Sequence, residues 1–187
     1  MRIVDRISAI GDAAIEVIAA DGMRGLTHRA VDRAAGLPAG STSYYARTRA
    51  ALLELAIKRM VELDQSDIDP AAQDIAEVLA STVHAAITVG RSRMLARYEF
   101  ALEATRRPEL RAAYDAGGLE IRELCVALLG AAGSTNPERH ARVLLNWLDG
   151  SIFDALAGTG STNPPDQEEL AEGARAVLNG LGIPSTQ

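Results

Sequence analysis

Apolar residues recur at three- and four-residue steps along almost the whole chain, and no stretch alternates apolar with polar as a half-buried strand would. That spacing restricts the chain to packed helices. In residues 5–20, Ile7, Ile10, Ala14, Val17 and Ile18 share one helical face, and Asp21-Gly22 follows as a stop. Thr27 suits the N-cap of a short helix over 28–35, with Ala30, Val31 and Ala34 turned inward. Gly36 breaks that helix, Pro38 marks a new start, and a second short helix covers 39–45. Long helices are expected over 49–66, from Asp69-Pro70 to 89, over 91–105, over 108–129 with a kink at Gly117-Gly118, over 137–157 and over 167–181. Residues 158–165, GTGSTNPP, read as a loop.

Composition agrees with this reading. Apolar residues make up 48% of the 187 residues but aromatic residues only 4%, which suits helices packed closely on alanine. The net charge of −6 argues against a protein that coats nucleic acid indiscriminately. The charge is uneven, however. Residues 1–60 carry nine Lys/Arg against six Asp/Glu, whereas the remainder is strongly acidic, so one end alone can approach DNA. Cys125 is the single cysteine, which rules out an intrachain disulfide and leaves no thiolate set for a metal. No apolar run is long enough to span a membrane, and acids interrupt the N-terminal apolar pattern, so a cytoplasmic location is expected. No metal or cofactor is expected.

The stretch with chemistry in it is 26–53, LTHRAVDRAAGLPAGSTSYYARTRAALL. Two short helices joined at Gly36 have the form of a helix-turn-helix. The second is far less apolar than the first, and its small hydroxylated residues and tyrosines suit a groove better than a core.

These residues resemble the DNA-binding domain of TetR-family regulators. The resemblance runs through DAAIEVIAADGMRGLT, the capping Thr27, Arg29, the turn Ala35-Gly36-Leu37-Pro38-Ala39-Gly40, then Ser41, Tyr44, Tyr45 and Arg49. Two positions depart from the family pattern: Ala46 stands where an aromatic is usual, and Ser43 where a tyrosine often precedes Tyr44. The first departure predicts a looser joint with the next helix, or compensation by a neighbour. The resemblance implies an all-α fold of about nine helices. A three-helix DNA-binding domain, 1–48, would precede a helical domain for ligand binding and dimerisation, 49–187. It implies a homodimer that binds a near-palindromic operator in double-stranded DNA and is released by a small-molecule effector.

Carried over by position, Thr27 and Arg29 would reach phosphate or a groove edge, and His28 is a DNA-contact candidate that also reads as a surface residue. Ala39, Gly40, Ser41 and Ser43 would face the major groove. Tyr44, Tyr45, Arg47 and Arg49 would hold phosphates, aided by free amides at helix N-termini. Thr27 also reads as a plain cap, and either tyrosine as partly core.

The resemblance places a dimer-forming helix pair at the C-terminus. The stretch 142–158 is apolar nearly all round, so it needs burial on several sides. The interface expected there comprises Val143, Leu144, Trp147, Leu148, Ile152, Phe153, Leu156, Leu170, Ala174, Val177 and Leu178. Effector contacts are expected from His84, Met94, Tyr98, Glu103, Tyr114, Asn146 and Trp147, with Phe100 and Cys125 as further lining. Each has a competing structural role; Glu103, for example, could pair with Arg106 or Arg107. Two other classes stay open: an enzyme, against which the three scattered histidines and the lack of a glycine-rich nucleotide loop argue, and a helical scaffold that has lost DNA recognition.

Overall fold

The computed structural model describes residues 3–66 and 74–184, and all of its regular structure there is helical. The helices are α1 (Ile3–Gly25), α2 (His28–Ala34), α3 (Ser41–Tyr45), α4 (Arg49–Ser66), α5 (Ile75–Ile87), α6 (Arg91–Ala104), α7 (Pro108–Ala131), α8 (Pro137–Ala157) and α9 (Gln167–Gly180). A short 3-10 turn, Thr159–Thr162, lies in the loop before α9. Among the described residues the all-α expectation of about nine helices holds. The start expected at Asp69-Pro70 lies outside the described residues.

Helix ends follow local chemistry. Thr27 caps α2 by accepting the Ala30 amide at 3.1 Å, Asn136 caps α8 ahead of Pro137, and Asp166 with Glu169 forms a reciprocal capping box on α9. Gly22 has φ of 67°, so the first helix proper ends there as Asp21-Gly22 suggested, and a further turn continues to Gly25. α7 is helical through Gly117-Gly118, the place where a kink was expected.

The chain forms two compact units, and α7 passes from one to the other at Gly117-Gly118. The first comprises residues 1–65 and 92–117. Its core joins Ile10, Ala14, Val17 and Ile18 of α1, Val31 of α2, Leu52, Leu53, Ala56 and Met60 of α4, Ala96 and Phe100 of α6 and Leu110 of α7. Ile7, expected on the inner face of α1, is instead 39% exposed. At Gly11 the backbones of α1 and α4 come close: an added Cβ would lie 2.8 Å from the Cβ of Arg59. Polar links reinforce the same helices. Arg59 of α4 donates to Asp12 of α1 at 2.7 Å, and Asp64 of α4 pairs with Arg93 at 3.0 Å and with Arg97, both on α6. The Met23 amide donates to Glu99 of α6.

The second unit comprises residues 66–91 and 118–187. Leu79 of α5, Cys125 and Leu129 of α7, Ala141 and Leu144 of α8, and Ala174 and Leu178 of α9 form its core, closed by Ile183. Arg175 of α9 pairs with Glu77 and Asp74 at the start of α5.

Candidate nucleic-acid interface

α2 and α3 form the surface on which DNA contact was expected. α2 buries Ala30 and Val31 but leaves Ala34 exposed. The inward position goes instead to Asp32, 4% exposed, a placement that apolar periodicity does not reveal. A buried carboxylate is costly unless its oxygens are satisfied. Here Oδ2 accepts the Gly40 amide and Oδ1 the Thr42 amide, each at 2.7 Å. Burial pushes the Asp32 carboxyl up, but bonds from Thr42 and Gly40 and the proximity of His28 outweigh it and hold the group below the ordinary aspartate value. With a depressed folded value, the stabilisation is complete above the unfolded value of about 4 and fades only as pH falls through the folded one.

α3 starts at Ser41, two residues later than the sequence suggested, because Gly40 is its N-cap with φ of +91°. Thr42 is its one buried residue. Ala39, Gly40, Ser43 and Tyr44 are exposed, and Ser41 is half-buried with its hydroxyl donating to the Pro38 carbonyl. The tyrosines part company. Tyr44 is 76% exposed, whereas Tyr45 packs against the core and meets the Tyr44 ring edge-on at 5.0 Å. α3 therefore presents a small, polar surface with one projecting phenol.

Three of the expected roles change character once their partners are visible. Amides at helix N-termini were expected to add to anion binding; at the start of α3, Gly40 and Thr42 donate to Asp32 and Ser41 donates to the Pro38 carbonyl. His28 is half-buried, and its Nε2 donates to the Ala46 carbonyl at 2.7 Å. The Arg49 guanidinium donates to the carbonyls of Met23 and Leu26, tying α4 to the end of α1. Thr27, Arg29 and Arg47 are exposed, although the Thr27 hydroxyl is engaged in capping. Ala46, 1% exposed, sits in the core beside the partly buried Tyr45, with its carbonyl held by His28.

This division of labour is testable. Arg47→Ala should lower the slope of log affinity against log salt by about one unit, the effect of one lost phosphate contact. Arg49→Ala should leave that slope unchanged and lower the melting temperature, because it releases two carbonyls. A flattened slope for Arg49→Ala would return that arginine to the phosphates.

The residues expected around an effector fall in both units. Met94, Tyr98, Glu103 and Tyr114 belong to the first, and His84, Asn146 and Trp147 to the second. Met94 is buried and Phe100 wholly so. Glu103 pairs with Arg107 at 2.6 Å and with Arg106 at 3.9 Å, and Arg111 stacks over the Tyr114 ring. His84 is half-buried and Asn146 exposed. Burial raises the Cys125 thiol to about 11, so at neutral pH it is a small apolar filler and an unreactive thiol.

The expected dimer residues also divide. Leu144, Leu170, Ala174 and Leu178 are at most 3% exposed within a single chain, and Ile152 and Leu156 are buried too. They build the chain's own interior. Val143 is 41% and Phe153 49% exposed, while Trp147, Leu148 and Val177 are half-buried against the core.

A short helix pair, the first capped by Thr27 and the second exposed and polar, among described residues that are otherwise helical, defines the class of helix-turn-helix regulators. Residues 70–182 match the family described as tetracyclin repressor-like, C-terminal domain. The chain belongs to the TetR family of transcriptional regulators. A TetR-family member from Streptomyces coelicolor A3 is similar at 29% identity and a TM-score of 0.71, over 96% of this chain and 99% of that one. The multidrug binding protein EbrR complexed with ethidium is similar at 29% identity and a TM-score of 0.70, with the same coverage. A transcriptional regulator from Rhodococcus sp. Rha1 shares the fold at 22% identity and a TM-score of 0.77, over 95% of this chain and 98% of that one. No curated protein matches the sequence. Among the described residues, no helix is long and apolar enough to cross a membrane.

Proposed function

We propose that this regulator is a repressor that binds a near-palindromic operator as a homodimer and is released by a small-molecule effector. The observation that carries the DNA-reading half is the exposed face of α3. Ala39, Gly40, Ser43 and Tyr44 stand in solvent on or beside a helix whose only buried residue is Thr42. Small side chains and glycine allow close approach to base edges, while the Tyr44 hydroxyl and Arg47 suit flanking phosphates. In a two-fold dimer the two heads would stand ~34 Å apart, or a small multiple, to meet successive major grooves. Residues 1–48 serve as the DNA-binding part in this reading, and 49–187 as the part that senses and dimerises.

The effector half draws support from EbrR, whose structures carry ethidium, proflavin and imidazole. In the present chain, α6 and the first half of α7 share one core with α1, α2 and α4. A ligand lodged against Tyr114, which packs on that core, or beside Met94 or Tyr98 on α6 would therefore act on helices joined to the DNA-reading ones. An effector that prefers the non-binding form by ~3 kcal/mol would lower operator affinity about 150-fold.

Selection of genomic fragments by the purified protein, followed by mobility shift on the selected duplex, tests the reading. A preferred site with two-fold symmetry is the expected result. A folded protein with no preference for any duplex at low and moderate salt would end the proposal. For the effector, unchanged operator affinity in the presence of a ligand independently known to be bound would remove the release step.

A further inference from the structure

We infer that His28 and Asp32 are positioning residues for DNA reading, clamping the two ends of α3 from one face of α2. The inference rests on the reading of α3 as the DNA-reading helix. Residues four apart on a helix lie one above the other, so the two side chains leave α2 on the same side. Asp32 takes the N-terminal end of α3 through the Gly40 and Thr42 amides, and His28 takes the residue just beyond its C-terminus through the Ala46 carbonyl. α3 has only five residues and no side-chain cap of its own at Gly40. A single helical turn of that kind has little intrinsic stability in water. Its apolar anchorage is slight as well, since Thr42 is its one buried residue and Tyr45 its one partly buried apolar contact with the core. The polar clamp therefore does what apolar packing does for longer helices.

The arrangement has a chemical consequence. The positive end of α3 is occupied by a carboxylate of the protein itself, so α3 meets DNA through side chains and the Gly40 backbone surface rather than through free amides. It also separates affinity from fidelity. Exposed cations such as Arg47 supply attraction to any duplex, whereas the clamp sets the angle at which Ser43 and Tyr44 arrive.

The test compares Asp32→Asn, His28→Ala and His28→Gln with the wild type, well below their melting temperatures, where circular dichroism reports full folding. Asparagine can accept only one of the two amides and turns its own N–H groups toward the other. Glutamine keeps a donor for the Ala46 carbonyl. Asp32→Asn should lose about tenfold to a hundredfold in operator affinity, the range expected when a charge-assisted pair of bonds is broken. Affinity for non-specific DNA and its salt slope should be unchanged. His28→Ala should lose specific affinity in the same way, and His28→Gln should recover most of it. In free protein, the Gly40 and Thr42 amides should resonate downfield and exchange slowly, and Asp32→Asn should abolish both signatures. Equal loss of specific and non-specific binding, or unchanged operator affinity in the folded variants, would overturn the clamp. If the wild type binds no duplex, the DNA reading fails by itself, and the amide signatures still decide whether His28 and Asp32 hold α3.

Discussion

Gly40→Val is expected to abolish specific operator binding and leave the chain folded. Gly40 has φ of +91°, a region in which a β-branched L-residue is a true outlier. An added Cβ would meet nothing within 4 Å, so the penalty is backbone strain rather than collision. That strain is of order 1–3 kcal/mol, enough to drive the turn into another conformation but small against the stability of a typical domain. Relief requires the Gly40 peptide to rotate, which withdraws its amide from Asp32 and shifts the start of α3. The core of the first unit draws mainly on α1, α2, α4, α6 and α7, and the turn adds only the partly buried Ala35 and Leu37. Operator affinity should fall at least about a hundredfold with the helical signal and cooperative melting retained. An unfolded variant would make Gly40 a folding determinant, and a variant with full affinity would remove this turn from the DNA interface.

The second large effect is expected from Phe153→Asp, which should convert the proposed homodimer to monomers in sedimentation. Phe153 is 49% exposed on α8, and Val143, 41% exposed, stands on the same helix. In a stable dimer such side chains are covered, and a charge placed there would be buried without a partner. The monomer should bind the operator about 10²- to 10⁴-fold more weakly, because the second half-site is no longer delivered at high effective concentration. Trp147 would be a poorer choice. Its Cζ2 lies 3.0 Å from where a Gly173 Cβ would stand, so Trp147→Asp would disturb the packing of α8 on α9 within one chain. A Phe153→Asp variant that remains dimeric and active would place the interface elsewhere.

Both predictions depend on information of unequal legibility. Gly40 is legible in the sequence because a glycine four residues after Gly36, just before a polar helix, belongs to a recognisable turn. Phe153 is only partly so. The pattern in 142–158 reveals more apolar surface than one helix face can bury, yet it does not say that Leu144, Ile152 and Leu156 turn inward while Val143 and Phe153 turn out. Asp32 was not legible at all by apolar spacing. A carboxylate beside Val31 reads as a solvated charge until the amides of Gly40 and Thr42 are seen to converge on it. Arg49 is the converse case. Its place in the motif suggests phosphate, but its fork closes on two carbonyls at the end of α1.

The amino-acid sequence alone determined where most helices lie, the Thr27 cap and the family. Those properties are written in short-range terms: the three- and four-residue apolar period, the capping chemistry of Thr27, and the turn from Ala35 to Gly40. Tertiary structure decided the partner of each polar group and the direction of each apolar one, and so which residues remain available to DNA or to a second copy. Hydrogen bonds between residues far apart in the chain depend on distances and angles that no local pattern encodes, which is why His28, Asp32 and Arg49 took their roles only when α1, α2, α3 and α4 were brought together.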